Sequence, residues 1–188
     1  AELPRQGGSA HLPHARLVKE LFRKLFGGSR ERRQTPLAEI RRSFDEGAAD
    51  EEHFPSTIDP RIFHVKLIVD HFGRVGTGCI LDVGCGKGRF ARVLKQHNPE
   101  TRVIAFDLSE AMLRFVPPEI APCSGTMTAL PFRDASFDAV YATESLEHAV
   151  RIDVAVAEMC RVLKRGGRLV IIDKNAAHWG KLKTPEWE

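Results

Sequence analysis

Apolar residues fall along this chain in two rhythms. Leu17, Val18, Leu21, Phe22, Leu25 and Phe26 recur at helical spacing, and Gly27-Gly28 predicts where that helix stops. Thr35-Pro36 opens a second helical stretch to about Phe44, with proline at the first helical position, where its missing N–H costs nothing. Asp59-Pro60 opens a third in the same way, carrying Ile62, Phe63, Val65, Leu67, Ile68 and Val69 up to Gly73. From residue 79 the rhythm changes. Short apolar runs at 79–81, 101–106, 136–141 and 168–173 alternate with helical stretches at 87–96, after Ser109, and at 150–163. Continuous apolar runs suit strands buried on both faces, and their alternation with helices predicts an α/β fold with a sheet flanked by helices. Residues 1–57 read as a helical N-terminal extension or lid, and 58–188 as the α/β domain.

The turn after the first apolar run carries the chemistry. Asp82 and Val83 are followed by glycines at 84, 86 and 88, which open the next helix. Without Cβ atoms such a loop turns sharply and lets a ligand approach the backbone and the free N–H groups of the helix start. A dinucleotide loop is spaced G-x-G-x-x-G. Here the spacing is G-x-G-x-G, with an acid two residues before the first glycine. That pattern resembles motif I of the class I S-adenosylmethionine-dependent methyltransferases, whose ligand ends in an amino acid and carries no phosphate. Further segments resemble the same family in the same order: GTMTALPF (125–132), SFDAVY (136–141), and RVLKRGGRLVIID (161–173), with Arg165 where the family commonly has proline. The resemblance covers about residues 79–173.

It implies a Rossmann-like sheet that binds S-adenosyl-L-methionine and methylates a small-molecule acceptor. By position, cofactor contacts are expected from Asp82, Gly84, Cys85, Gly86 and Gly88. Asp107 and Leu108 follow at the end of the second strand, where an acid can accept from both ribose hydroxyls. Thr126 and Met127 are expected beside the adenine, with Thr126 standing where many relatives have an aspartate. Ala142 and Thr143, at the end of the fourth strand, are expected near the methionine moiety. His148 is the candidate general base on the acceptor side, although a histidine that only holds the loop fits equally, since methyl transfer can proceed through alignment alone. The similarity is to quinone and natural-product methyltransferases. Nothing resembles the N/D-P-P-Y/F motif of amino-methylating nucleic-acid enzymes, the matching stretch being Ala142-Thr143-Glu144-Ser145.

Composition narrows the picture only slightly. Across 188 residues the net charge is +3, a weak argument for a nucleic-acid partner. Residues 1–42 hold ten Arg and Lys against four Glu, so the remainder is slightly acidic. The basic amphipathic stretch 11–26 fits a peripheral membrane or partner contact, or a helix packed on its own domain. The acidic run 45–52 reads as a solvated loop. Four cysteines without C-x-x-C or metal-ligand spacing suggest reduced thiols. With no signal-peptide pattern or membrane-length apolar run, the expected location is cytoplasmic. The family fold ordinarily adds two strands after the fifth, and fifteen residues follow here, so those strands are expected to lie outside this sequence. Two other readings stay open: a nucleic-acid or protein methyltransferase using the Arg-rich N-terminus, and a non-catalytic module that binds cofactor or a partner.

Overall fold

The computed structural model describes residues 36–72 and 75–173. The helix expected around 17–26 lies outside them. Strands β1 (Cys79–Val83), β2 (Arg102–Asp107), β3 (Ala121–Ser124), β4 (Phe137–Thr143) and β5 (Leu163–Ile172) form one sheet in the order β3-β2-β1-β4-β5. Every described pairing is parallel. Helices α1 (Leu37–Gly47), α2 (Phe63–Phe72), α3 (Arg89–His97), α4 (Glu110–Leu113) and α5 (Ile152–Val162) connect or cover the strands. A 3₁₀ turn spans Leu146–His148. This is the expected α/β architecture, and strand order reverses between β1 and β4, the place where open sheets bind ligands.

The apolar runs explain which strands are central. Leu81 faces Ile104 on one side and Val140 on the other, and β1 is buried from Ile80 onward. On one face Val65, Ile68 and Phe72 of α2 pack with Phe90, Val93 and Leu94 of α3 over Ile80, Ala139 and Tyr141. Ile68 is 1% exposed, and Ile68→Ala is expected to cost about 2–5 kcal/mol in a denaturant titration. A second cluster joins Ala91 to Val103, Ala105, Leu113 and Ile120. No helix among the described residues is long and apolar enough to cross a membrane.

Three local expectations are corrected. Pro36 is the N-cap of α1 rather than its first helical residue, and the helix runs past Phe44 to Gly47. The 59–62 segment is a turn, with Asp59 accepting the Arg61 N–H at 2.8 Å, and α2 starts only at Phe63. The acids of 45–52 are not a solvated run: Asp45 belongs to α1, and several of these acids hold specific partners described below. The compact unit that contains the sheet also takes in residues 36–57.

Candidate active site

The glycine loop sits where β1 leaves the sheet. Gly84, Gly86 and Gly88 all have positive φ (75°, 54° and 75°), the region that penalises a side chain. The N–H groups of Gly84 and Cys85 both donate to the Phe106 carbonyl, at 2.8 and 3.1 Å. Gly86 N–H donates to Asp107 Oδ2 at 2.7 Å, and Ser109 N–H to Asp107 Oδ1 at 2.8 Å. The loop and the end of β2 are thus tied by backbone donors, and the Asp107 carboxylate is fixed in orientation. A Cβ at Gly84 would stand 2.4 Å from Ser145 Cβ, whereas one at Gly86 would meet nothing within 4 Å. Space is open beside Gly86.

That space is a cavity of about 260 Å³ over the carboxyl ends of β1, β2 and β4. Its polar wall includes Asp82, Gly86, Asp107, Thr143 and Glu144. Asp82 is 2% exposed, and its Oδ2 accepts the Tyr141 hydroxyl at 2.7 Å. Burial pushes its carboxyl up to about 7, and the Asp107 charge adds to the push while the Tyr141 bond opposes it. Burial likewise raises the Asp107 carboxyl, opposed by the Ser109 and Gly86 N–H groups. Thr143 is buried, and its Oγ1 has no hydrogen-bond partner among the described residues. Glu144 has φ 52° and donates its N–H to the Ile172 carbonyl at 2.7 Å.

The opposite wall is apolar. Leu37, Ile40 and Phe44 of α1, together with Phe54, Pro55 and Val150, roof the cavity. Phe44 meets Phe54 edge to face at 5.7 Å and the His148 ring at 5.0 Å. Side-chain ties hold this roof. Ser109 Oγ donates to Asp45 Oδ1 at 2.6 Å, Arg41 pairs with Glu110 at 2.8 Å, and Lys87 Nζ pairs with Glu51 at 2.7 Å. The Lys87 side chain is 1% exposed and its ammonium lies 4.5 Å from the centre of the Phe115 ring. The Lys87 hydrogen bond holds the Glu51 carboxyl at about 2.

Residues 81–171 match a family model described as a methyltransferase domain. The chain carries a class I S-adenosylmethionine-dependent methyltransferase domain. It is 36% identical over 122 residues to the demethylmenaquinone methyltransferase of Renibacterium salmoninarum, covering 63% of this chain and 51% of that one. It is 35% identical over 96 residues to the malonyl-[acyl-carrier protein] O-methyltransferase of Methylococcus capsulatus, covering 48% and 35%. A solved protein of Methanococcus maripaludis shares the fold at TM-score 0.55 and 20% identity, over 79% of this chain and 68% of that one. The chain therefore spans about half the first relative and about a third of the second.

The methyltransferase cofactor, S-adenosylmethionine, fits what the cavity offers: open space at Gly86, an acid at the end of β2, and an unsatisfied buried hydroxyl at Thr143. Of the residues expected at the cofactor, Asp82, Gly84, Cys85, Gly86, Asp107, Leu108, Thr126, Met127 and Thr143 line the cavity, and His148 lines it too. Gly88 and Ala142 do not. Gly88 is the α3 N-cap, and a Cβ there would lie 3.3 Å from Val116. Ala142 is 1% exposed within β4. The Thr126 hydroxyl is bonded to Thr128 Oγ1 at 2.8 Å, and Met127 Cε would be 3.6 Å from a Cβ at Gly84. His148 Nε2 lies 3.5 Å from Glu147 Oε1. Sequence reasoning missed Lys87, Arg89, Glu144 and the aromatic roof. Lys87 within the glycine loop was the one visible signal.

Proposed function

We propose that this domain transfers the methyl group of S-adenosylmethionine to a small-molecule acceptor of the quinone or natural-product kind. The observation that carries the proposal is the joining of a polar wall and an aromatic roof in one cavity. Asp107, oriented by the Gly86 and Ser109 N–H groups, keeps lone pairs for two ribose hydroxyls. Met127 supplies a flexible apolar contact for the adenine. The bound cofactor supplies an electrophilic methyl on a sulfonium for in-line displacement. The chain's part is then to orient the acceptor: Phe44 and Phe54 exclude water and set an apolar ring, and alignment provides much of the rate. His148, held against Phe44, takes the proton from an acceptor hydroxyl. The names of the two relatives, and the absence of charged residues from the roof positions Leu37, Ile40, Phe44, Phe54 and Pro55, support an uncharged organic acceptor.

Calorimetric titration with S-adenosylmethionine, S-adenosylhomocysteine and NAD tests the reading. Saturable binding of the two adenosyl ligands without NAD binding supports it, and the reverse pattern removes it. Asp107→Ala is expected to weaken adenosyl binding by about 1–3 kcal/mol, the value of hydrogen bonds to a charged acceptor. His148→Ala is expected to lower turnover at unchanged cofactor affinity, and near-normal turnover would leave alignment alone. Residues 11–26 we read as a contact for an anionic membrane surface. Sedimentation with anionic vesicles, lost on deleting them, checks this.

A further inference from the structure

Arg89 and Glu144 form an ion pair that serves no evident structural need. Arg89 Nη2 donates to Glu144 Oε2 at 2.8 Å, and both residues line the cavity. Their side chains are 26% and 40% exposed, a setting in which an ion pair adds little to stability. Yet Glu144 keeps φ at 52°, which only glycine adopts freely, at the point where β4 ends. His64 Nδ1, 3.7 Å from Oε1, is the other charged contact of this carboxylate. A structural arginine looks different: Arg161 pairs with Glu158 and Asp134 and also donates to the carbonyls of Leu130 and Phe132, bracing a loop. Arg89 braces nothing of the kind in the described contacts, and most of its five donors stay available.

Beside the pair stands Thr143, 7% exposed, lining the same cavity with its hydroxyl unpartnered. A buried hydroxyl left without a partner is costly, so a ligand group that supplies one is favoured. A guanidinium, a carboxylate and a hydroxyl within one short stretch of wall match a zwitterion: a carboxylate for Arg89, an ammonium for Glu144 and Thr143. We propose that Arg89, Glu144 and Thr143 form a clamp for the α-amino-acid head of the cofactor, with the Arg89–Glu144 pair opening so that each partner exchanges its mate for the opposite charge on the ligand. The inference rests on the S-adenosylmethionine reading above. Strain at Glu144 then has a use, since it turns the carboxylate from the strand end towards Arg89.

Two ligands separate the head from the rest. S-adenosylhomocysteine carries the amino-acid head, and 5′-methylthioadenosine keeps the nucleoside and thioether without it. In Glu144→Gly and Arg89→Met, calorimetry is expected to show S-adenosylhomocysteine affinity lower by at least about tenfold, with methylthioadenosine within about twofold of wild type. Glu144→Gly is also expected to melt no lower than wild type, because glycine relieves the positive φ. That combination sets a binding role apart from a structural one. Arg89→Met keeps the side-chain stem and carries the test if the glycine variant unfolds. Unchanged S-adenosylhomocysteine affinity in a folded variant, or equal weakening of both ligands, overturns the clamp while leaving the cofactor reading in place. Failure of wild type to bind S-adenosylhomocysteine overturns both.

Discussion

The two walls of the cavity are held by different kinds of bond. On the polar wall the glycine loop is fixed through main-chain donors: Gly84 and Cys85 to Phe106, Gly86 to Asp107, and Ser145 Oγ to the Val83 carbonyl at 2.9 Å. These extend the register of β1 and β2, so the wall is as rigid as the sheet. The aromatic roof is tied instead by side chains, Asp45 to Ser109, Arg41 to Glu110 and Glu51 to Lys87. Such ties can be exchanged without unfolding a strand. The contrast assigns a preorganised surface to the cofactor and an adaptable one to the acceptor.

The strongest way to probe the polar wall is through Asp82. Its carboxyl is held up near 7 by burial, against an ordinary value of 3.8. Between those values the folded chain keeps a proton that the unfolded chain releases, so stability falls as pH rises from about 4 to about 7 and is level above that. The full fall is about 4 kcal/mol. Asp82→Asn keeps an acceptor for Tyr141 and does not titrate. Its melting temperature is expected to pull ahead of wild type progressively between pH 4 and 7.5. A pH-independent difference would mean that Asp82 is ionised throughout.

Gly84→Ala attacks the same wall by volume. Its Cβ would meet Ser145 at 2.4 Å on a backbone with φ 75°, and the expected loss is about 2–4 kcal/mol by denaturant titration, from overpacking plus strain. Smaller effects belong to the roof. Glu51→Gln strands the buried Lys87 ammonium, whereas Lys87→Met leaves only an exposed acid unpaired, so the first is expected to lower the melting temperature more than the second. An equal effect would show that the pair opens to water. Smallest of all on the cofactor is Phe44→Ala, expected to leave S-adenosylhomocysteine affinity within about twofold while raising KM for an acceptor, since its ring packs on Phe54 and His148.

The same contrast governs what was legible in the sequence. β1, β2, β4 and β5 announce themselves because a strand covered on both faces needs an unbroken apolar run, as in Ile80-Leu81 or Val103-Ile104. β3 does not: Ala121-Pro122-Cys123-Ser124 lies at the sheet edge, mostly exposed, where proline is tolerated and no apolar pattern is required. On the polar wall, glycine spacing exposed the loop directly. Glu144 escaped notice because its positive φ is not marked by a glycine. The roof escaped for a different reason. Asp45 and Glu51 find their partners at Ser109 and Lys87, 64 and 36 residues away, and local composition carries no trace of such pairings.

Amide hydrogen exchange with and without saturating S-adenosylhomocysteine tests the central claim most directly. The division of labour predicts ligand-dependent protection at 84–88, 107–109 and 143–145, with the amides of 37–47 changing far less. Protection confined to 37–55, or none around the glycine loop at saturation, would contradict it.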